Sequence, residues 1–139
     1  MTKGVRRAAI LAFHAVEDGP APLSIPPAAF ERQVGALADM GAVVLTAGEL
    51  VEALRTGADL ADPAVAFTFD DGYESVHRVA LPVLAAHGYR ATVLPVTGRL
   101  GATSDWSADG GSLRLLSATQ LAELAAAGWE VGGHTHTHR

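Results

Sequence analysis

With 139 residues, 49% of them hydrophobic and 18% charged, the chain is long enough for one globular domain with a core and too apolar to be disordered. Its formal net charge of -5 argues against a nucleic-acid partner, and the absence of cysteine excludes disulfides and thiolate metal sites, so any metal must be held by nitrogen and oxygen. No apolar run approaches the ~20 residues of a membrane span, and the basic start, Met1 to Arg7, precedes too short an apolar run for a signal peptide. The chain as given is therefore expected in the cytoplasm, with action at a cell surface left open; its oligomeric state is not legible.

The first predicted element is a strand from Ala8 to Val16, with His14 near its carboxyl end. Glu17 to Pro22 is a turn-rich loop. Pro26 and Pro27 open a helix on which Phe30, Val34, Leu37 and Met40 keep helical spacing, and Gly41 ends it. Ala42 to Leu45 is a short buried strand. Thr46 and Glu49 form a capping box for a second helix, apolar on Leu50, Val51 and Leu54 and closed by Gly57.

The uncharged run Ala64 to Phe69 then reads as a buried strand that ends on Asp70-Asp71-Gly72. A helical pattern follows from Val76 to Gly88, which Pro82 breaks or kinks. Arg90 to Val96 is a fourth strand. Thr97 to Ser112 is a long polar loop holding Asp105 and Trp106. Ser117 and Gln120 form a second capping box, and Gly128 closes that helix. A fifth strand, Trp129 to Val131, leads into His134-Thr135-His136-Thr137-His138. Strict alternation of strand and helix implies an α/β fold with a parallel sheet and helices outside. Five strands are too few to close an eight-stranded barrel, so residues 1–139 are expected to be a single domain cut inside a larger one.

Asp70 and Asp71 stand where a parallel strand leaves its sheet, the end at which such folds place functional groups. An Asp-Asp-Gly turn also caps helices and loops, so this motif alone leaves both uses open. Neighbouring residues on a strand point to opposite faces, so the pair cannot flank a glycosidic bond in the way two facing carboxylates do. Two different tasks suit it better, one acid binding metal and the other handling protons. If the chain turns helical after Gly133, His134 and His138 lie on one face and His136 points elsewhere. Two imidazoles and a carboxylate make a catalytic metal set with positions left for water. His14 shares that rim as a weak candidate for lining the site, and Asp105 and Trp106 could shape a sugar groove.

These motifs resemble the polysaccharide deacetylase family, the nodulation-deacetylase-homology domain of carbohydrate esterases. The family's first motif stands as Thr68-Phe69-Asp70-Asp71-Gly72 and its second as His134-Thr135-His136-Thr137-His138. The wider pattern also matches, at His14-Ala15-Val16, Ala80 to Leu84, Gly88 to Val93 and Leu121 to Gly133. The resemblance implies an irregular β/α barrel with fewer than eight strands, present here as an incomplete barrel of about five. It implies Asp70 as catalytic base, and Asp71, His134 and His138 as ligands of one divalent ion: zinc, cobalt, nickel or another. The implied reaction removes N-acetyl groups from an amino-sugar poly- or oligosaccharide. The family's later motifs, with an arginine that holds the aspartate, an aromatic groove wall and a histidine acid, are not found before Arg139. Half a site is thus expected, with the activity and stability of these residues alone in question. The alternatives are a metal hydrolase of another small amide or ester, a non-catalytic carbohydrate-binding domain, and a purely structural metal site.

Overall fold

The computed structural model describes residues 8–106 and 111–139; the basic start and residues 107–110 of the predicted long loop lie outside them. Its centre is a five-stranded sheet built on β5 (Ala64–Asp71). β1 (Ala8–Phe13) pairs with β5 along one edge, from Ala8 opposite Ala64 to Phe13 opposite Phe69. The other edge is shared: β4 (Val43–Leu45) pairs with Ala64 to Ala66, and β6 (Thr92–Pro95) takes over from Thr68 to Asp71. β7 (Glu130–Val131) adds to β6, and every pairing is parallel. Every residue of β5 except Asp70 is buried. That accounts for the uncharged run, because a strand covered on both faces has no side for solvent.

The sheet is open. Among the described residues β1 pairs only with β5, and its Ile10 is 56% exposed. The fold is thus an incomplete α/β barrel, as the strand count implies. Among the described residues, no helix is long and apolar enough to cross a membrane.

The predicted first strand is in fact two. β1 stops at Phe13, and beyond His14 the chain pairs elsewhere: β2 (Ala15–Val16) runs parallel to β3 (Ser24–Ile25) in a separate ladder. The Val16 N–H donates to Oγ of buried Ser75 at 3.0 Å, a partner 59 positions away that local pattern cannot reveal. His14 therefore occupies the gap between two ladders.

Helices α1 (Pro27–Asp39), α2 (Ala47–Thr56) and α4 (Ala118–Ala126) form where the caps place them. Both predicted capping boxes close reciprocally, at Thr46 with Glu49 and at Ser117 with Gln120. The amino end of α2 has further partners. Oγ1 of Thr92 accepts the Ala47 N–H at 2.8 Å, and the Glu130 carboxylate accepts the Gly48 N–H at 3.0 Å. Two strands thereby satisfy donors that no helix can satisfy internally. The helical pattern after Gly72 becomes a π-helical turn, Val76 to Ala80, followed by α3 (Leu81–Ala85). Pro82 offers no N–H and crowds the preceding turn, and the chain widens so that the Leu81 N–H reaches the Val76 carbonyl.

Helices and sheet enclose a core of Phe30, Phe67, Phe69, Leu84, Leu124 and Trp129. The Phe69 ring lies 5.7 Å from that of Phe13 and 5.5 Å from that of Trp129, both stacked. This packing fixes the strand whose last residues are the two acids.

The Thr46–Glu49 box gives a stability prediction. Thr46→Ala is expected to cost about 1 kcal/mol in urea unfolding, with the slope unchanged. The Thr46 N–H, followed by Arg90 and opposed by burial, holds the Glu49 carboxyl below its ordinary range. A lowered carboxyl stabilises the fold fully above its unfolded pKa and stops doing so as pH falls through the folded one. Glu49→Gln is therefore expected to be less stable than the parent at neutral pH, with the gap closing in acid.

Candidate functional site

The site begins where β5 ends. Asp71 and Gly72 both take left-handed backbone, with φ of 71° and 79°. Aspartate tolerates that region better than most residues. Gly72 is required twice over, since a Cβ there would lie 2.8 Å from Cβ and 2.9 Å from Cα of Pro95. The turn is pinned by Val96 N–H donating to Asp71 O at 3.2 Å and Leu116 N–H donating to Gly72 O at 2.8 Å. The two acids differ in burial: Asp71 is buried and Asp70 is half-buried.

The chain does not turn helical after Gly133. It runs as an irregular loop in which Thr135 and His138 adopt φ of 61° and 64°. The two histidines nevertheless converge. Nε2 of His134 lies 3.3 Å and Nε2 of His138 lies 3.2 Å from Oδ1 of Asp71. One ligand atom from each of the three residues lies within 4.8 Å of the other two. The convergence comes from β6, whose Pro95 carbonyl accepts the His134 N–H at 2.9 Å, and not from helical spacing.

Oδ1 of Asp71 is buried and has no hydrogen-bond partner among the described residues. A buried carboxylate oxygen without a donor is unfavourable unless something positive faces it. Two imidazole nitrogens and one carboxylate oxygen suit a borderline divalent cation, and three protein ligands leave positions free for water or substrate. The residues present therefore fit a metal ion.

Around this group the structure sorts the other candidates. Nε2 of His14 lies 3.9 Å from Oδ2 of Asp70, with side chains 39% and 25% exposed, so the pair is open to solvent while Asp71 is buried. Trp106 stacks on the His138 ring at 4.4 Å and 19°. Asp105 is not brought to the triad and pairs with Arg99 at 2.7 Å. His136 is not part of this group and engages Thr97.

Tyr73, whose role the sequence leaves unresolved, is fully buried in a second apolar cluster with Ala15 and Leu115, against which Trp106 packs. Burial, and after it the Asp71 charge, push its phenol up to about 12, so it stays neutral at physiological pH. Its only signal in the sequence is adjacency to Asp-Asp-Gly.

The Bacillus subtilis (strain 168) protein YxkH is 30% identical over 129 residues, covering 93% of this chain and 42% of YxkH. The poly-β-1,6-N-acetyl-D-glucosamine N-deacetylase of Escherichia coli (strain K12) is 28% identical over 135 residues, covering 86% of this chain and 20% of that protein. The structure of IcaB from Ammonifex degensii superposes with a TM-score of 0.81 at 28% identity, over 93% of this chain and 53% of IcaB. The chain thus spans less than half the length of the curated relatives it matches. Residues 57–139, which contain Asp70, Asp71, His134 and His138, match the polysaccharide deacetylase family model. On that match over more than half its length, the chain belongs to the polysaccharide deacetylase family.

Proposed function

We propose that this chain forms the metal-holding part of a hydrolase that removes N-acetyl groups from an amino-sugar polysaccharide. The observation that carries the reading is the convergence of His134 and His138 on a buried oxygen of Asp71 that has no hydrogen bond among the described residues, beside an open Asp70–His14 pair. The Escherichia coli relative is named for a β-1,6-linked N-acetylglucosamine polymer, and a polymer of that class is the substrate we assign.

Asp71, His134 and His138 would hold the ion, zinc in our reading, with cobalt or nickel also suited to such donors. When bound, a divalent ion polarises an acyl oxygen and acidifies coordinated water. Asp70, half-buried and beside His14, is reachable from solvent and takes the proton of the attacking water as general base. Oxygen joins the acyl carbon, the C–N bond breaks, and the departing sugar amine needs a proton. His14 lies beside Asp70 and is placed to supply it, so an acid for that step is already present within these residues. Trp106 fixes the His138 ring from one face and contributes an aromatic wall to the rim.

Asp70→Asn is expected to reduce acetate release from partly acetylated β-linked glucosamine oligomers by about 10²–10⁴-fold while leaving bound metal unchanged. Unaltered acetate release would remove Asp70 from the chemistry; unaltered release from simple amides alone would favour a small-amide hydrolase. In a parallel measurement His134→Ala should lose metal by elemental analysis, and a variant that keeps a full equivalent of ion would overturn the ligand assignment. Sugar binding that persists in a wild-type chain releasing no acetate, with metal bound, would support the non-catalytic alternative.

A further inference from the structure

The middle histidine of the last motif, His136, takes no part in the group around Asp71, and the structure gives it a different set of partners. Its Nδ1 lies 3.2 Å from Oγ1 of Thr97, and its carbonyl accepts the Gly98 N–H at 2.9 Å. One residue earlier, the Thr135 carbonyl accepts the Thr97 N–H at 3.1 Å and faces the Thr97 hydroxyl at 3.4 Å. One residue earlier again, the His134 N–H donates to Pro95 O at 2.9 Å. The chain leaving β6 thus grips three successive residues of the histidine loop.

Gly98 matters here for space. A Cβ on it would lie 2.5 Å from the His136 carbonyl oxygen, 2.7 Å from Cε1 and 2.9 Å from Nε2 of the ring. A β-branched threonine rarely holds positive φ, and such backbone persists only where the surroundings over-determine it. At Thr135 and His138 the surroundings are this grip and the His138 N–H, which donates to Oγ1 of Thr135 at 2.8 Å. The loop has no helix or strand of its own to set its shape.

We infer that the Thr97–Gly98 turn, with His136 as its anchor, is a positioning clamp that sets His134 and His138 at their spacing from Asp71 and thereby sets the affinity of the metal site. The inference rests on the metal-site reading given above. Thr97, Gly98 and His136 touch no ligand atom in it; they act through the loop backbone. Partners that orient metal ligands typically change affinity by about 10–100-fold when removed.

The test is a Co2+ titration of the full chain, read by competition with a coloured chelator and by the visible spectrum of the bound ion. Metal-free circular dichroism serves as the fold check. Thr97→Val removes the hydroxyl at constant shape and is expected to weaken Co2+ at least about 10-fold and shift the spectrum, with Thr97→Ser restoring both. Gly98→Ala is expected to weaken Co2+ further, and if it fails to fold the Thr97 pair decides alone. Thr97→Val binding as tightly as wild type with an identical spectrum, or Thr97→Ser failing to restore what Thr97→Val loses, would overturn the clamp. A wild-type chain that takes up no Co2+ is a separate result, which overturns the metal reading and the clamp with it.

Discussion

A carboxylate oxygen withdrawn from water needs a donor or a positive charge, and in this fold Asp71 Oδ1 is withdrawn without a hydrogen bond among the described residues. The surrounding architecture follows from keeping it there. β5 is covered on both faces and carries its aspartate into the interior. Gly72 then lets the backbone reverse tightly against Pro95, so the carboxylate stays at the strand's end instead of turning out into a loop. The imidazoles of His134 and His138 are the groups brought against it. An arrangement that disfavours the empty folded state is what a site for a cation should look like, because binding recovers what burial cost.

What could be read from the sequence was whatever depended on near neighbours along the chain. The two capping boxes need only residues three apart, and both form. The glycines that end helices need only a positive φ, which Gly41, Gly57, Gly88 and Gly128 all adopt. An uncharged run of β-formers ending on two acids marks its own burial and its own exit. What could not be read depended on distant partners. The break at His14 follows from Ser75 and from the ladder with Ser24 and Ile25. The shape of the histidine loop follows from Pro95, Thr97 and Gly98. Helical spacing picked out the two histidines that the fold brings together, but for a reason that does not hold in it: four positions apart, they meet through left-handed backbone and not through a helical turn. Tyr73 and its contact with Trp106 carried no pattern at all, since a single buried phenol has no periodicity.

The same residues that cap a helix also steady the sheet beside the site. Glu130 belongs to the two-residue strand β7, too short to hold itself, and its carboxylate is fixed on the amino end of α2. Thr92, at the start of β6, gives its hydroxyl to the same helix end and lies 3.3 Å from Glu130 Oε1. A helix terminus that needs acceptors and a short strand that needs anchoring thus solve each other's problem, four residues before His134.

One stretch, residues 95–98, contacts both halves of the group formed by Asp71 and the two histidines. Val96 holds the Asp71 carbonyl, while Pro95, Thr97 and Gly98 hold the backbone of residues 134, 135 and 136. When the sheet breathes, whatever displaces this stretch carries oxygen and nitrogens along together. The acid's backbone and the histidine loop are therefore coupled through four consecutive residues, so a change confined to that short span reaches both sides of the triangle at once.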